Sequence, residues 1–176
     1  SITSRDLHPI MAQFHCEIAS TELAVNNLRD ATQNIKRALN LDPRCVRASL
    51  MEADNARNAG DYQTAIKAYR RIEKQDPDYI PEVVNSLRSC YQALGQLDKF
   101  RSFLGEVLKN YGGITPLLCL TDMIADDEGN AAAISFISGQ LHLRPTVRGV
   151  DHLIKYAISK TDGELNKNLT TIKELT

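Results

Sequence analysis

The sequence has no tryptophan and little glycine, proline or aromatic character. Glycine occurs 9 times and proline 6 times in 176 residues, and aromatic residues make up 6%. An all-β fold with many tight turns needs more of these residues. No apolar run approaches the roughly 18 residues that span a bilayer, and residues 1–9 carry no apolar signal core. We therefore expect a soluble, cytoplasmic chain. Because it begins without Met and stops inside a predicted helix, we expect it to be part of a longer protein.

Charge and cysteine spacing exclude further classes of function. The formal net charge is −1, so nothing favours nucleic acid or an anionic membrane as a partner. The four cysteines, Cys16, Cys45, Cys90 and Cys119, form no C-x-x-C half-site. His15 is adjacent to Cys16, but neighbours on a helix point about 100° apart. We therefore predict reduced thiols and no bound metal or other cofactor.

The motifs of common catalytic sites are also absent. The chain contains no G-x-S-x-G, H-E-x-x-H, P-loop or G-x-G-x-x-G pattern. The acidic run at 126–128 is not followed by the spacing of a calcium-binding loop. It is interpreted as a solvated turn between two helices. The sequence predicts a protein that is not an enzyme.

The main positive signal is an internal repeat. Pro43 and Pro77 are 34 residues apart, and Pro145 follows after a further 68, which is twice 34. A second pattern recurs along the chain, in which apolar or small residues occupy positions i, i+4 and i+7 of a predicted helix. The copies are Ala31-Ile35-Ala38, Ala65-Tyr69-Ile72, Phe100-Leu104-Val107 and Ala133-Ile137 with polar Gln140 in the last place.

This spacing predicts pairs of helices. Positions i, i+4 and i+7 share one helix face, and a small residue there allows close approach of a neighbour. Each proline ends the preceding helix, while Gly60 and Gly95 suit the left-handed position in the turns between helices. We expect a single repeat domain over residues 1–176, with repeats at 12–45, 46–79, 81–113 and 114–147 and a degenerate pair at 148–176. The predicted helices lie near 10–25, 28–40, 44–58, 62–75, 81–94, 97–110, 115–126, 130–142, 148–160 and 163–175.

The pattern resembles the tetratricopeptide repeat family over nearly the whole chain. The second repeat is the clearest copy, with the residues Gly60, Asp61, Tyr62, Ala65, Ile66, Tyr69, Asp76 and Pro77. The large aromatic residue of the family's first helix is absent, since His15, Ser49, Val84 and Leu117 occupy that position. The resemblance implies an all-α fold, a right-handed superhelical array of antiparallel helix pairs, and a role in holding other proteins.

Longer stretches resemble a bacterial family that regulates lipopolysaccharide synthesis. They include AQFHCEIA at 12–19, SLRSCYQALGQLDKFRSFL at 86–104 and LTDMIADDEGNAAAISFISGQLHLRPTVRGVDHLIKY at 120–156. The resemblance implies an adaptor at the cytoplasmic face of the inner membrane, between a membrane-bound ATP-dependent protease and the lipid A pathway deacetylase. That family also has a membrane anchor and a zinc ribbon with two C-x-x-C pairs, and this sequence contains neither. Zinc is expected only in that ribbon.

A partner-binding groove is predicted from the repeat register, because the first helix of each pair lines the concave face of such arrays. Arg47 is expected to be the freer of two arginines, because Arg57 has Asp54 three positions before it. Cys16 and Ser20 also fall on the predicted face, and the family's carboxylate clamp is missing there. The predicted groove residues are Arg47, Asp54, Arg57, Asn58, Asn85, Ser89, Gln92 and Asp122; each can equally be an ordinary solvated side chain.

Two questions stay open at this point. The uncharged helix at 130–142 either faces a partner or is buried by the next pair of helices. The chain is either an adaptor in its own right, the regulatory domain of a larger enzyme, or a peptide-binding chaperone module.

Overall fold

The computed structural model describes residues 4–158, with side chains from Leu7 onward. In this range the chain has nine α-helices, one 3-10 turn at Pro77–Tyr79 and no β-strand. The predicted all-α fold is confirmed. The predicted helix at 163–175 lies outside the described residues. The helices are α1 (Ser4–Ala24), α2 (Leu28–Leu41), α3 (Val46–Asn58), α4 (Tyr62–Gln75), α5 (Ile80–Ala93), α6 (Leu97–Asn110), α7 (Ile114–Glu128), α8 (Asn130–Leu143) and α9 (Val147–Ile158).

The chain separates into two compact units, Ser1–Leu97 and Asp98–Thr176. In the first unit α1 pairs with α2, α3 pairs with α4, and α5 packs on α4. In the second unit α7 pairs with α8, and α9 packs on both. The single repeat domain over residues 1–176 stays a prediction. Among residues 4–158, no helix combines the length and the apolar character that crossing a bilayer would require.

The helix ends follow from the prolines, as predicted. Helices α2, α4 and α8 each end two residues before a proline of the repeat. The residue directly before that proline has an extended or intermediate backbone: φ is −135° at Asp42, −157° at Asp76 and −144° at Arg144. A proline ring clashes with an α-helical residue before it, so each helix stops there and the chain can turn into the next pair.

The turn inside each helix pair uses a left-handed residue. Gly60 has φ +78° and Gly95 has φ +64°, as predicted, and Asn26 has φ +59° at the position 34 residues before Gly60. Asn tolerates this conformation better than other residues with a side chain. The acidic run behaves differently from its prediction. Asp127 and Glu128 lie in the last turn of α7, where both pair with Arg101.

The repeated small and apolar positions form the core. Ala31, Ala65, Phe100 and Ala133 are all 0% exposed. In the first unit one cluster joins Ala12, Cys16, Ala38, Cys45 and Ala48, so the first two helix pairs share it. In the second unit the cluster joins α7, α8 and α9, and it includes Leu117, Ile137, Leu141 and Leu153. Because α8 contributes four buried side chains besides Ala133, the uncharged helix is at least partly buried by its neighbours.

Candidate functional site

A cavity of about 530 Å³ opens in the first unit between α1, α3 and the start of α2. Leu23, Leu28 and Met51 supply apolar side chains to its wall. The polar side chains of the wall belong to Ser20, Asn26, Arg47, Asp54, Asn55 and Asn58. Hydroxyl, amide, guanidinium and carboxylate groups can together donate to and accept from a peptide backbone. The cavity therefore combines hydrogen-bonding groups with an apolar surface for a side chain.

The turn between α1 and α2 shapes one end of this cavity. Asn26 takes the left-handed conformation, so the chain reverses within three residues between the two helices. The next residue, Asn27, donates from Nδ2 to Glu22 Oε2 at 2.6 Å and to Asp30 Oδ2 at 2.9 Å. These bonds fasten the turn to both helices. They leave Asn26 at the edge of the cavity with Leu28 beside it.

Arg47 lines the cavity, but it is not the freer of the two arginines as predicted, because it also has a carboxylate partner. Its Nη1 lies 2.6 Å from Glu17 Oε1 on α1. The hydrogen bond between the two side chains lowers the pKa of the Glu17 carboxyl and raises the pKa of the Arg47 guanidinium. The Glu17 side chain is 66% exposed and the Arg47 side chain is 39% exposed. A pair so open to water is easily exchanged, so a carboxylate of a partner can replace Glu17 at the guanidinium.

Asp54 connects the cavity to the core of the second helix pair. Its Oδ1 accepts a hydrogen bond from the Tyr69 hydroxyl at 2.5 Å and lies 3.6 Å from Arg57 Nη2, so the expected pairing with Arg57 is confirmed. Burial, and then the bond to Asp54, raise the pKa of Tyr69 to about 12. The hydroxyl therefore stays protonated at neutral pH and keeps donating to the carboxylate. Arg57 does not line the cavity, and its Nε is buried with no hydrogen-bond partner among the described residues.

Four of the other predicted groove residues divide between two places. Asn58 lines the same cavity as Arg47 and Asp54. Asn85, Ser89 and Gln92 are exposed on α5 and do not line it. Ser89 Oγ donates to the backbone oxygen of Asn85 at 3.0 Å, so its hydroxyl is already used within the helix.

Asp122 belongs to the second unit, where it joins α7 to α9. Its Oδ1 lies 3.0 Å from His152 Nε2 and also accepts a hydrogen bond from the Tyr156 hydroxyl. Burial, followed by the bond to Asp122, raises the pKa of Tyr156. The rings of His152 and Tyr156 meet edge to face with centroids 5.2 Å apart. This carboxylate therefore has two partners within its own unit.

Cys16 does not face the groove as predicted, because it is 0% exposed. Its Sγ lies 3.8 Å from Cys45 Sγ. Burial, with a further contribution from Cys45, raises the pKa of the Cys16 thiol to about 12. Within the described part of the chain, no three His, Cys, Asp or Glu side chains come together where they could hold a metal ion. The absence of a metal from this chain stays a prediction.

Six residues of the cavity wall were not predicted from the sequence: Leu23, Asn26, Leu28, Met51, Asn55 and Ala59. The repeat register indicates only one face of each first helix. Asn26 lies in the turn and Leu28 begins the second helix of the pair. Leu28 is 46% exposed. An apolar residue directly after a predicted turn is the sequence feature that could have indicated its place in the wall. Asn55 follows Asp54 in sequence, so a wider face of α3 would have included it.

Comparisons with known proteins agree with this fold. The family model described as "Tetratricopeptide repeat" matches residues 16–80. The chain is 28% identical over 166 residues to lipopolysaccharide assembly protein B of Escherichia coli strain K12, covering 94% of this chain and 43% of that protein. It is 31% identical over 169 residues to the protein of the same name from Haemophilus influenzae, covering 94% of this chain and 42% of that protein. The chain thus spans less than half the length of these relatives.

Solved structures share the architecture. The MamA protein superposes with a TM-score of 0.52 and 15% identity, over 94% of this chain and 90% of that one. PilF of Pseudomonas aeruginosa superposes with a TM-score of 0.50 and 15% identity, over 98% of this chain and 75% of that one. At this identity the likeness concerns the fold alone. The predicted resemblance to tetratricopeptide repeat proteins and to lipopolysaccharide assembly protein B is confirmed.

Proposed function

Starting from a chain with a tetratricopeptide repeat fold, we propose that this protein is an adaptor that holds partner proteins and performs no chemistry on them. The observation that carries the proposal is the cavity of about 530 Å³ in the first unit. It has the mixture of polar groups and apolar wall that orients a bound segment while burying one of its side chains. Arg47 supplies a positive charge that a partner's carboxylate can reach.

The identity of the partners is proposed from the relatives. Similarity to lipopolysaccharide assembly protein B extends over 94% of this chain. We therefore propose a role in regulating lipopolysaccharide synthesis, in which the chain brings a membrane-bound ATP-dependent protease together with the deacetylase of the lipid A pathway. In this role it works at the cytoplasmic face of the bacterial inner membrane. The sequence carries no zinc-ribbon ligands, so the proposal involves no metal.

Affinity capture tests this proposal. The immobilised chain is incubated with detergent-solubilised membranes and cytosol of a Gram-negative bacterium, and the retained proteins are identified by mass spectrometry. We expect the parent chain to retain the protease and the deacetylase above bare resin. Arg47→Glu should retain less of whichever partner contacts the cavity, because a reversed charge repels as well as removing a contact.

Two further variants separate the site from folding. The swap Glu17→Arg with Arg47→Glu restores an ion pair between α1 and α3 but still removes the cation from the cavity, so it should bind as weakly as Arg47→Glu. Arg37→Glu reverses an exposed charge on α2 outside the cavity and should bind like the parent. Retention of neither protein by the parent contradicts the proposed partners. Equal retention by all variants contradicts the proposed site.

A further inference from the structure

A second cavity, in the second unit, is unlike the first in its chemistry. It has a volume of about 420 Å³ and lies among α6, α8 and the start of α7. Its wall is mainly aliphatic and aromatic, from Leu108, Ile114, Leu117, Leu120, Phe136 and Leu143. A concave apolar surface of this size is typical of a binding site rather than of a packing defect. None of the residues that the sequence analysis placed in the groove lines it.

The charged residues at this cavity are all positive. Lys109 and Arg144 line it, and none of its other lining residues is charged. Within residues 4–158, neither side chain forms an ion pair or a hydrogen bond. The acidic end of α7, at Glu128, lies 14 residues from Ile114, or about 21 Å along the helix, and it pairs with Arg101. That distance exceeds the screening length of about 8 Å at physiological salt. Within the described residues the two cations are therefore not paired with a carboxylate, although Glu106 lies three residues before Lys109 on α6.

The backbone at the cavity also favours a negative group. Helix α7 begins at Ile114 with Gly113 before it, and no side chain in the described part of the chain caps its first amides. Such amides carry a partial positive charge. Gly112 has φ +77°, and the Arg144 guanidinium lies where a side chain on Gly112 would be. Glycine at this position therefore allows the Arg144 side chain to lie across the loop at the start of α7.

We propose that this cavity is a docking site for a segment of a partner protein in which aliphatic side chains lie next to acidic ones. The aliphatic side chains fill the apolar wall, and the carboxylates bind Lys109, Arg144 and the start of α7. Gln140 and Thr146 add hydrogen-bonding groups to the wall, which a peptide backbone can use and a fatty acid chain cannot. The site is separate from the proposed adaptor cavity, which lies wholly in the first unit.

Selection from a displayed library of random twelve-residue peptides tests the proposal on the full chain. The selected clones are then measured against two matched pairs of variants. Gly105→Phe places a ring at a lining position where an added side chain meets open space, and Gly139→Phe does the same at a helical position that does not line the cavity. Arg144→Glu reverses the lining charge, and Arg148→Glu reverses an exposed charge four residues later that is outside the cavity.

We expect the selected peptides to be enriched in Leu, Ile, Val or Phe next to Asp or Glu. Their affinity should fall about tenfold or more with Gly105→Phe and with Arg144→Glu, and by less than about twofold with either control, because only the first two change contacts at the site. Replacing the acidic residues of a selected peptide by their amides should weaken its binding to the parent but not to Arg144→Glu.

Five results would overturn the proposal. The selected clones could carry no acidic residues, or bind all variants equally. Dodecanoate could bind to the cavity while no peptide is selected, which would make it a lipid site. A synthetic peptide of residues 159–176 could bind more tightly than any selected clone, which would make the chain's own C-terminal segment the occupant. Gly105→Phe could change only the sedimentation coefficient, which would make the surface a contact between two copies of the chain. A negative result in this experiment does not contradict the capture of partners through the cavity of the first unit.

Discussion

Two helical glycines of the second unit, Gly139 and Gly149, should respond in opposite ways to replacement by alanine. The added methyl group should stabilise the protein at Gly139 and destabilise it at Gly149. Gly139 lies on the exposed side of α8, and a Cβ there would meet nothing within 4 Å. Gly149 lies near the start of α9, where a Cβ would be 2.5 Å from Leu141 Cδ2 and 2.8 Å from Thr146 Oγ1. Both glycines have ordinary helical backbones, so the difference comes from their neighbours.

The magnitudes follow from these contacts. Gly139→Ala reduces the freedom of the unfolded chain and should stabilise the protein by about 0.5–1 kcal/mol. Gly149→Ala has the same favourable effect through the unfolded chain. Its methyl group overpacks the folded site, however, and this costs about 1–3 kcal/mol. Leu141 cannot move aside easily because it is 1% exposed. Displacing Thr146 also weakens the bond that its Oγ1 accepts from the Gly149 amide at 3.2 Å, so we expect a net loss of about 1–2 kcal/mol.

Thermal unfolding followed by circular dichroism measures both effects. For a chain of this size 1 kcal/mol corresponds to about 2–4 °C in Tm. Gly139→Ala should therefore raise Tm by a few degrees, and Gly149→Ala should lower it by a similar or larger amount. A Gly149→Ala variant as stable as the parent would refute the close packing of α9 against α8.

Further predictions concern packing, metal and thiol chemistry. Ala65→Leu should lower the free energy of unfolding by about 1–3 kcal/mol, since Ala65 is 0% exposed in α4; an unchanged Tm would show that the repeat register is wrong. Elemental analysis after dialysis should find no stoichiometric zinc, because the four cysteines lack paired spacing, and one zinc per chain would contradict this. The raised pKa of the Cys16 thiol keeps it protonated below about pH 12, so iodoacetamide at pH 8 should label half-buried Cys119 while leaving Cys16 unmodified. Mass spectrometry of peptides from briefly labelled native protein checks this, and equal labelling of both would count against the buried position of Cys16.

The fold was predictable from sequence because it depends on local features. The prolines at 43, 77 and 145 and the recurring small residues mark helix ends and contact faces within a few residues. The predicted bounds of α4 and α6 coincide with the structure, and those of most other helices differ by one or two residues. The start of α1 was predicted at residue 10, which is six residues too late. In the structure the helix begins at Ser4 and contains Pro9 in its second turn.

The candidate site was harder to predict because its contacts join distant parts of the chain. Arg47 was expected to be the freer of the two arginines because no acidic residue lies three or four positions away on its own helix, whereas its partner Glu17 is 30 residues away. Cys16 was placed in the groove, but its contact with Cys45 crosses 29 residues. Helical periodicity shows which residues share a helix face. It does not show which side chains from distant parts of the chain pack against that face. No sequence motif indicates the cavity of the second unit, because its wall joins side chains of α6, α7 and α8 that are far apart in sequence.

The central claim is that partner proteins bind in the cavity of the first unit, and one comparison tests it most directly. Ser20→Trp places a large ring at the wall of this cavity, while Gln33→Trp places the same ring at an exposed position of α2 outside it. The dissociation constant of a captured partner is measured by biolayer interferometry for the parent and both variants, after circular dichroism has shown equal helical content. We expect Ser20→Trp to weaken binding about tenfold or more and Gln33→Trp to leave it within about twofold, because only the first removes the space that the partner occupies. Equal affinity of the parent and Ser20→Trp would contradict the central claim.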